Sequence, residues 1–173
     1  MAYALAGKKR SFYFMANPRT GSTSVANALT TMGAVPKGDH HDDWDVILPD
    51  SIVAQTVRHH CDVLVSFWFK SQIGSDFTKF VEAVLGGEYY WLPSTGFYNR
   101  WGDKVNCILR YETLEYELNN ALSCCGIPPV KLERTVTRRS SDVSWQSLFS
   151  MSLYEKVADH YHAEMKEFGY GYS

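Results

Sequence analysis

Seven consecutive residues, Pro18-Arg19-Thr20-Gly21-Ser22-Thr23-Ser24, place a guanidinium, a glycine and four hydroxyls between two apolar runs. A strand that stops before such a stretch, followed by a helix that starts inside it, leaves several backbone N–H groups without partners. With the positive end of the helix dipole, those donors form an anion site. Gly21 allows the backbone to come close, Ser22, Thr23 and Ser24 add hydroxyls, and Arg19 adds a forked cation. An ordinary turn and helix cap built of Pro, Gly and Ser is the plainer alternative. The triphosphate-binding pattern GxxxxGK[ST], aligned on its second glycine, puts Ala16 at the first position and Ser22 where the lysine belongs. The cation stands earlier, at Arg19. This relocation argues against ATP or GTP as a phosphoryl donor.

A second cation, Arg58, ends the apolar run Ile52–Val57, and Ser66 and Trp68 follow it. Ligands of open α/β sheets sit at the ends of strands, which favours a binding role for Arg58 over a surface ion pair. His59 and His60 are expected to pack or hydrogen-bond nearby. Asp39-His40-His41-Asp42-Asp43 is a third cluster. Adjacent histidines point in different directions and no i, i+4 pair exists, so no metal is expected there. A histidine suits proton transfer near neutrality, so His41 or His40 could act as a general base, and the sequence does not separate them. A solvated loop is the alternative. Glu112 is a weaker candidate base and reads first as a structural carboxylate at a helix start. Arg134, Arg138, Arg139, Ser140 and Ser141 form a late basic, hydroxyl-rich stretch.

Taken together, these segments resemble the sulfotransferases that use 3'-phosphoadenosine 5'-phosphosulfate (PAPS). Pro18–Ser24 is similar to that family's 5'-phosphosulfate loop, Pro-Lys/Arg-x-Gly-[ST]-[ST]-x. Arg58 to Trp68 is similar to its 3'-phosphate motif in Arg58, Ser66 and Trp68, with His60 in place of a proline and Val63 in place of a second arginine. Ile108 to Leu114 resembles its "RYEDL" segment, with Thr113 for Asp. The resemblance implies a P-loop NTPase-like three-layer α/β sandwich with a small parallel sheet. It implies sulfuryl transfer from PAPS to a hydroxyl or amine of a small-molecule or glycan acceptor, giving PAP and needing no metal. Arg19, Thr20, Gly21, Ser22, Thr23 and Ser24 would bind the phosphosulfate. Arg58 and Ser66 would bind the 3'-phosphate, with Arg138 or Arg139 as a second cation. Arg19 and His41 or His40 would be catalytic. A kinase with a degenerate phosphate loop and a non-catalytic nucleotide-binding relative are the rival readings.

The elements that must position these residues alternate. Ser11–Ala16, Ile52–Val57 and Val105–Leu109 read as buried parallel strands. Val25, Leu29 and Met32 recur at helical spacing up to Gly33. Cys61–Ser71, Asp76–Leu85 and Glu112–Cys124 read as helices, and a final helix carries Leu153, Val157, Tyr161 and Phe168. Residues 36–50, 86–103 and 131–145 read as loops, the middle one rich in aromatics. Strand–helix alternation argues for a parallel α/β domain spanning 1–173.

The 173 residues suit one domain. An apolar fraction of 45% with 14% aromatics excludes disorder over most of the chain. A net charge of -2 gives no global attraction to nucleic acid. The four cysteines match no zinc spacing and fit a reduced, cytoplasmic chain. No apolar stretch reaches the roughly 18 residues of a membrane span, and no signal-peptide pattern opens the chain.

Overall fold

The computed structural model describes residues 2–37, 47–71, 76–89, 98, 103–133 and 143–172. They form two compact units, one from residues 1–57 and 101–135 and the other from 58–100 and 136–173.

Among the described residues the first unit is a five-stranded sheet with two helices. Its strands are β1 (Ala2–Leu5), β2 (Phe12–Met15), β3 (Val35–Lys37), β4 (Ile52–Val57) and β5 (Cys107–Arg110), in the order β3-β1-β2-β4-β5. β2, β4 and β5 pair in parallel, whereas β1 is antiparallel to both β2 and β3. The sheet is therefore mixed rather than parallel, although four of its five strands run the same way. Two strands went unread because they are short. β1 lies in the apolar start of the chain, and β3 contains Pro36 and is exposed throughout. Proline and lysine suit an edge strand, where an open N–H row must not invite further pairing.

Side-chain alternation explains how the sheet buries itself. Phe12, Phe14, Ala54 and Leu109 form one cluster with Val25 and Leu29 of α1 (Ser22–Thr31) and Leu114, Leu118 and Leu122 of α4 (Leu114–Cys124). Met15 and Val53 point to the opposite face. Each fully buried Leu or Phe of the cluster stabilises by about 1.5–3 kcal/mol, so α1 is held by its 25/29 stripe, not by intrinsic propensity. Between β5 and α4, Tyr111–Thr113 form one 3-10 turn. This shortens the expected helix at its start.

The second unit is helical among the described residues: α2 (His60–Ser71), α3 (Phe77–Leu85), α5 (Met151–His160) and α6 (His162–Phe168). Its core joins Leu64 and Phe67 of α2 to Phe80 and Val84 of α3, Leu153 and Val157 of α5, and Met165 of α6, with Trp145 and Phe149 beside them. Asp76 caps α3 by accepting from the Lys79 N–H at 3.2 Å, and Ser150 caps α5 by accepting from the Leu153 N–H at 3.2 Å. The expected single last helix is two, because Tyr161 leaves helical geometry (φ -103, ψ 23) between them. Among the described residues no helix is long and apolar enough to cross a membrane.

Candidate functional site

In the first unit, the chain leaves β2 at Met15 and enters α1 at Ser22. The turn between is held from inside. Asn17 is fully buried, and its amide donates to Thr56 O at 2.9 Å and to Gln55 Oε1 at 3.3 Å, at the end of β4. The Asn17 carbonyl accepts the Thr20 hydroxyl at 2.8 Å and the Ser22 hydroxyl at 2.6 Å. Thr20 Oγ1 also bonds Thr56 Oγ1. These polar groups bind one another in a dry place, so each is costly to remove singly.

That frame forces the outer backbone. Arg19 takes φ 66, a left-handed conformation rare for a residue with a side chain, and Gly21 takes φ 79. A Cβ on Gly21 would lie 2.8 Å from Leu114 Cδ2 and 3.0 Å from Tyr111 Cδ2, so glycine serves both the turn and the approach of α4. No side chain caps α1, and its first turn holds no acidic residue. Among the described residues no acceptor takes the N–H groups of Gly21, Ser22 or Thr23. The helix start thus keeps its positive end and its open donors, the condition for holding an anion. Thr23 is exposed, and Arg19, Gly21 and Ser24 are half-buried, whereas Thr20 and Ser22 turn their hydroxyls inward. Those two residues shape the loop through their side chains and offer no hydroxyl outward.

In the second unit, Arg58 follows the last residue of β4. Its guanidinium lies 3.7 Å from Asp62, one turn into α2. Asp62 and Ser66 are half-buried and Lys70 is exposed, and they form the outer stripe of α2 opposite Leu64 and Phe67. Both backbone groups of Arg58 meet one phenol: its N–H donates to Tyr98 Oη at 3.1 Å, and the Tyr98 hydroxyl donates to its carbonyl at 2.6 Å. The Tyr98 N–H donates to Glu164 Oε1 at 2.8 Å, and His60 Nε2–H donates to Glu164 Oε2 at 3.0 Å. Tyr98, His60 and Glu164 are 0, 1 and 2% exposed. His60 is thus a core residue stacked on Tyr161 at 4.2 Å.

His59 is packed as well. It stacks on Trp145 at 4.6 Å, accepts the Cys61 N–H on Nδ1 at 3.2 Å, and donates from Nε2 to Gly171 O at 2.9 Å. Burial holds its pKa below the ordinary value, against smaller opposite pulls from the Gly171 carbonyl and Asp62. Burial likewise raises the Cys61 thiol, and lifts the Cys107 thiol to about 11.

His40, His41, Arg138 and Arg139 lie outside the described residues, as do Arg134, Ser140 and Ser141. Asn17, Gln55, Thr56 and Glu164 escaped sequence reasoning, and Tyr98 was legible only as one aromatic of the 86–103 stretch. The signal for Gln55 and Thr56 was their polarity at the end of an otherwise apolar strand. Glu164 sits among His162, Lys166 and Glu167, and no pattern in the sequence marks it as buried. Among the described residues no group of three His, Cys, Asp or Glu side chains is arranged to hold a metal. Comparison with protein-family models, curated proteins and solved structures finds no match to this chain.

Proposed function

We propose that the protein is a PAPS-dependent sulfotransferase on a P-loop-like three-layer scaffold, moving a sulfuryl group to a hydroxyl or amine. One observation carries the reading: after a parallel strand, a frame of buried hydroxyls and amides holds Arg19 at φ 66 beside the open N–H groups of α1. Backbone strain of this sort costs about 1–3 kcal/mol and persists where the surroundings over-determine it, as at ligand-binding loops. The absent lysine directs the loop away from nucleoside triphosphates. The motif resemblance assigns the 5'-phosphosulfate to this loop and the 3'-phosphate to Arg58 and Ser66. A cytoplasmic setting goes with four unbridged cysteines.

In this reaction the acceptor oxygen attacks sulfur in line as a base takes its proton. The bond from sulfur to the oxygen bridging the 5'-phosphate breaks, and that oxygen leaves with the electron pair on PAP. Arg19 and the α1 N–H groups stabilise the charge developing there. The base, His41 or His40, contributes about 10²–10⁴-fold.

Thermal-shift titration with 3',5'-ADP, 5'-AMP and ATP with Mg²⁺ tests the donor. Stabilisation by 3',5'-ADP above the others is expected, and preference for ATP with Mg²⁺ would point to a kinase. Arg58→Ala should weaken 3',5'-ADP far more than 5'-AMP, and equal losses would remove the 3'-phosphate assignment. Transfer from labelled PAPS to an acceptor panel tests catalysis. A non-catalytic relative is the second reading, favoured by the engagement of Arg58 with Asp62. It predicts binding of 3',5'-ADP with no transfer.

A further inference from the structure

We propose that Tyr98 and Glu164 are positioning residues that hold the main chain of Arg58, and so fix where its guanidinium stands relative to the start of α2. This rests on the reading of Arg58 as the 3'-phosphate cation.

The need for such a device follows from backbone chemistry. Strand pairing ends at Val57, opposite Arg110, so Arg58 lies one residue past the ladder. Its N–H and C=O must still be satisfied, because a buried unpaired group is costly. Tyr98 satisfies both with one hydroxyl, accepting at 3.1 Å and donating at 2.6 Å. A single oxygen bonded to both ends of one residue resists rotation of that residue, since any turn lengthens one of the two bonds.

The phenol is itself anchored. The Tyr98 N–H reaches one oxygen of Glu164, whose other oxygen takes the His60 ring, and His60 opens α2 two residues after Arg58. The four residues close a ring, Arg58 to Tyr98 to Glu164 to His60 and back along the chain. Three of its side chains are essentially inaccessible, so water does not substitute for a lost member. The ring at Tyr98 is further fixed edge-on by His60 at 5.2 Å and Phe168 at 5.5 Å. A cation serving only an ion pair with Asp62 needs no such frame.

Calorimetric titration of the full chain with 3',5'-ADP and with 5'-AMP tests the proposal in wild type, Tyr98→Phe and Glu164→Gln. Tyr98→Phe keeps the ring and deletes both bonds to Arg58. It should lower the preference for 3',5'-ADP about tenfold while changing 5'-AMP affinity about twofold or less, the size expected for losing a well-placed hydrogen-bonded cation. Glu164→Gln keeps an acceptor for Tyr98 but opposes the His60 N–H with another donor, and should fall between wild type and Tyr98→Phe. A folded Tyr98→Phe protein with undiminished preference overturns the proposal and marks the ring as purely structural. Should that variant not fold, Glu164→Gln decides by the same ratio. A wild-type protein with no preference at all removes the 3'-phosphate reading first, and the positioning role with it.

Discussion

The loop after β2 and the segment after β4 present their cations by opposite means. In the loop, the bonds that set successive residues are local, since Asn17 O takes hydroxyls from Thr20 and Ser22 within five residues of itself, while Asn17 and Thr20 tie that turn to Gln55 and Thr56 of β4. In the segment, the frame is long-range: Arg58 depends on Tyr98, and Tyr98 on Glu164, far along the chain. The difference follows from what each must show. A loop that offers several backbone N–H groups has to fix several successive φ/ψ pairs, which takes bonds between close neighbours as well as anchors to the sheet. A segment that offers one side chain needs one residue held firmly, and a distant aromatic hydroxyl suffices.

Removing the keystone of each frame gives the largest effects. Glu164→Ala leaves the Tyr98 N–H and the His60 Nε2–H without their acceptor in the core, and should destabilise by about 3–5 kcal/mol, the usual result of breaking a buried pair. Asn17→Ala strands Thr56 O and Gln55 Oε1, and should cost about 2–3 kcal/mol. Urea unfolding followed by circular dichroism checks both. Equal and small losses would mean that neither frame bears on stability and that the contrast between them is only geometric.

Two glycines sharpen the local side of the comparison. Gly33 has φ 90 with nothing within 4 Å of an added Cβ, so Gly33→Ala should cost only the left-handed backbone penalty, about 1 kcal/mol. Gly21 has φ 79 and in addition meets Leu114 and Tyr111, so Gly21→Ala should cost about 2–3 kcal/mol. Midpoints of thermal unfolding compare them directly. A Gly21→Ala no worse than Gly33→Ala would show that α4 yields to the intruding methyl.

The same contrast explains what could be read from the sequence. β2, α1, β4 and β5 were legible because their apolar periodicity is local, and so was the loop between β2 and α1, whose glycine and hydroxyls sit side by side. β1 and β3 were not, because four and three residues carry too little pattern, and their strand character comes from pairing with β2 and with each other. The break at Tyr161 was hidden because Leu153, Val157, Tyr161 and Phe168 keep an apolar face across it. The joint role of Glu164 and Tyr98 was invisible for a different reason. A charge in a short helix and a tyrosine in an aromatic-rich loop acquire their roles only when the fold brings them to Arg58.

His59 extends the comparison to pH. Its Nδ1 already accepts the Cys61 N–H, so a second ring proton has no place in the folded state, and burial lowers the pKa. Above about pH 6.5 neither the folded nor the unfolded chain binds this proton, and its effect on stability is nil. As pH falls below that value the unfolded chain takes up a proton that the folded chain refuses. Stability then declines until the lower folded pKa is passed, by at most about 1.4 kcal/mol per pH unit. Urea midpoints at about pH 5.5 and about pH 7.5 should differ more in wild type than in His59→Phe, which keeps the stacking on Trp145 and loses the titration. An identical acid loss in both would assign the effect to other groups. Nothing comparable is expected from the Asn17 frame, which contains no titrating side chain.

The smallest expected difference bears most directly on the loop's purpose. Arg19→Gly and Arg19→Ala both delete the guanidinium, and they differ by one methyl at a residue with φ 66. If the buried frame imposes that conformation, the glycine variant should be the more stable by about 1 kcal/mol, because only the alanine retains the left-handed clash. Chemical denaturation resolves such a gap, and both variants should bind 3',5'-ADP more weakly than wild type. Equal stability would mean that the loop relaxes once the side chain is gone, so that the strain came from the contacts of Arg19 itself. The hydroxyls on Asn17 would then tie the loop to the sheet without dictating its shape, and the open N–H groups of α1 would owe their arrangement to the cation beside them.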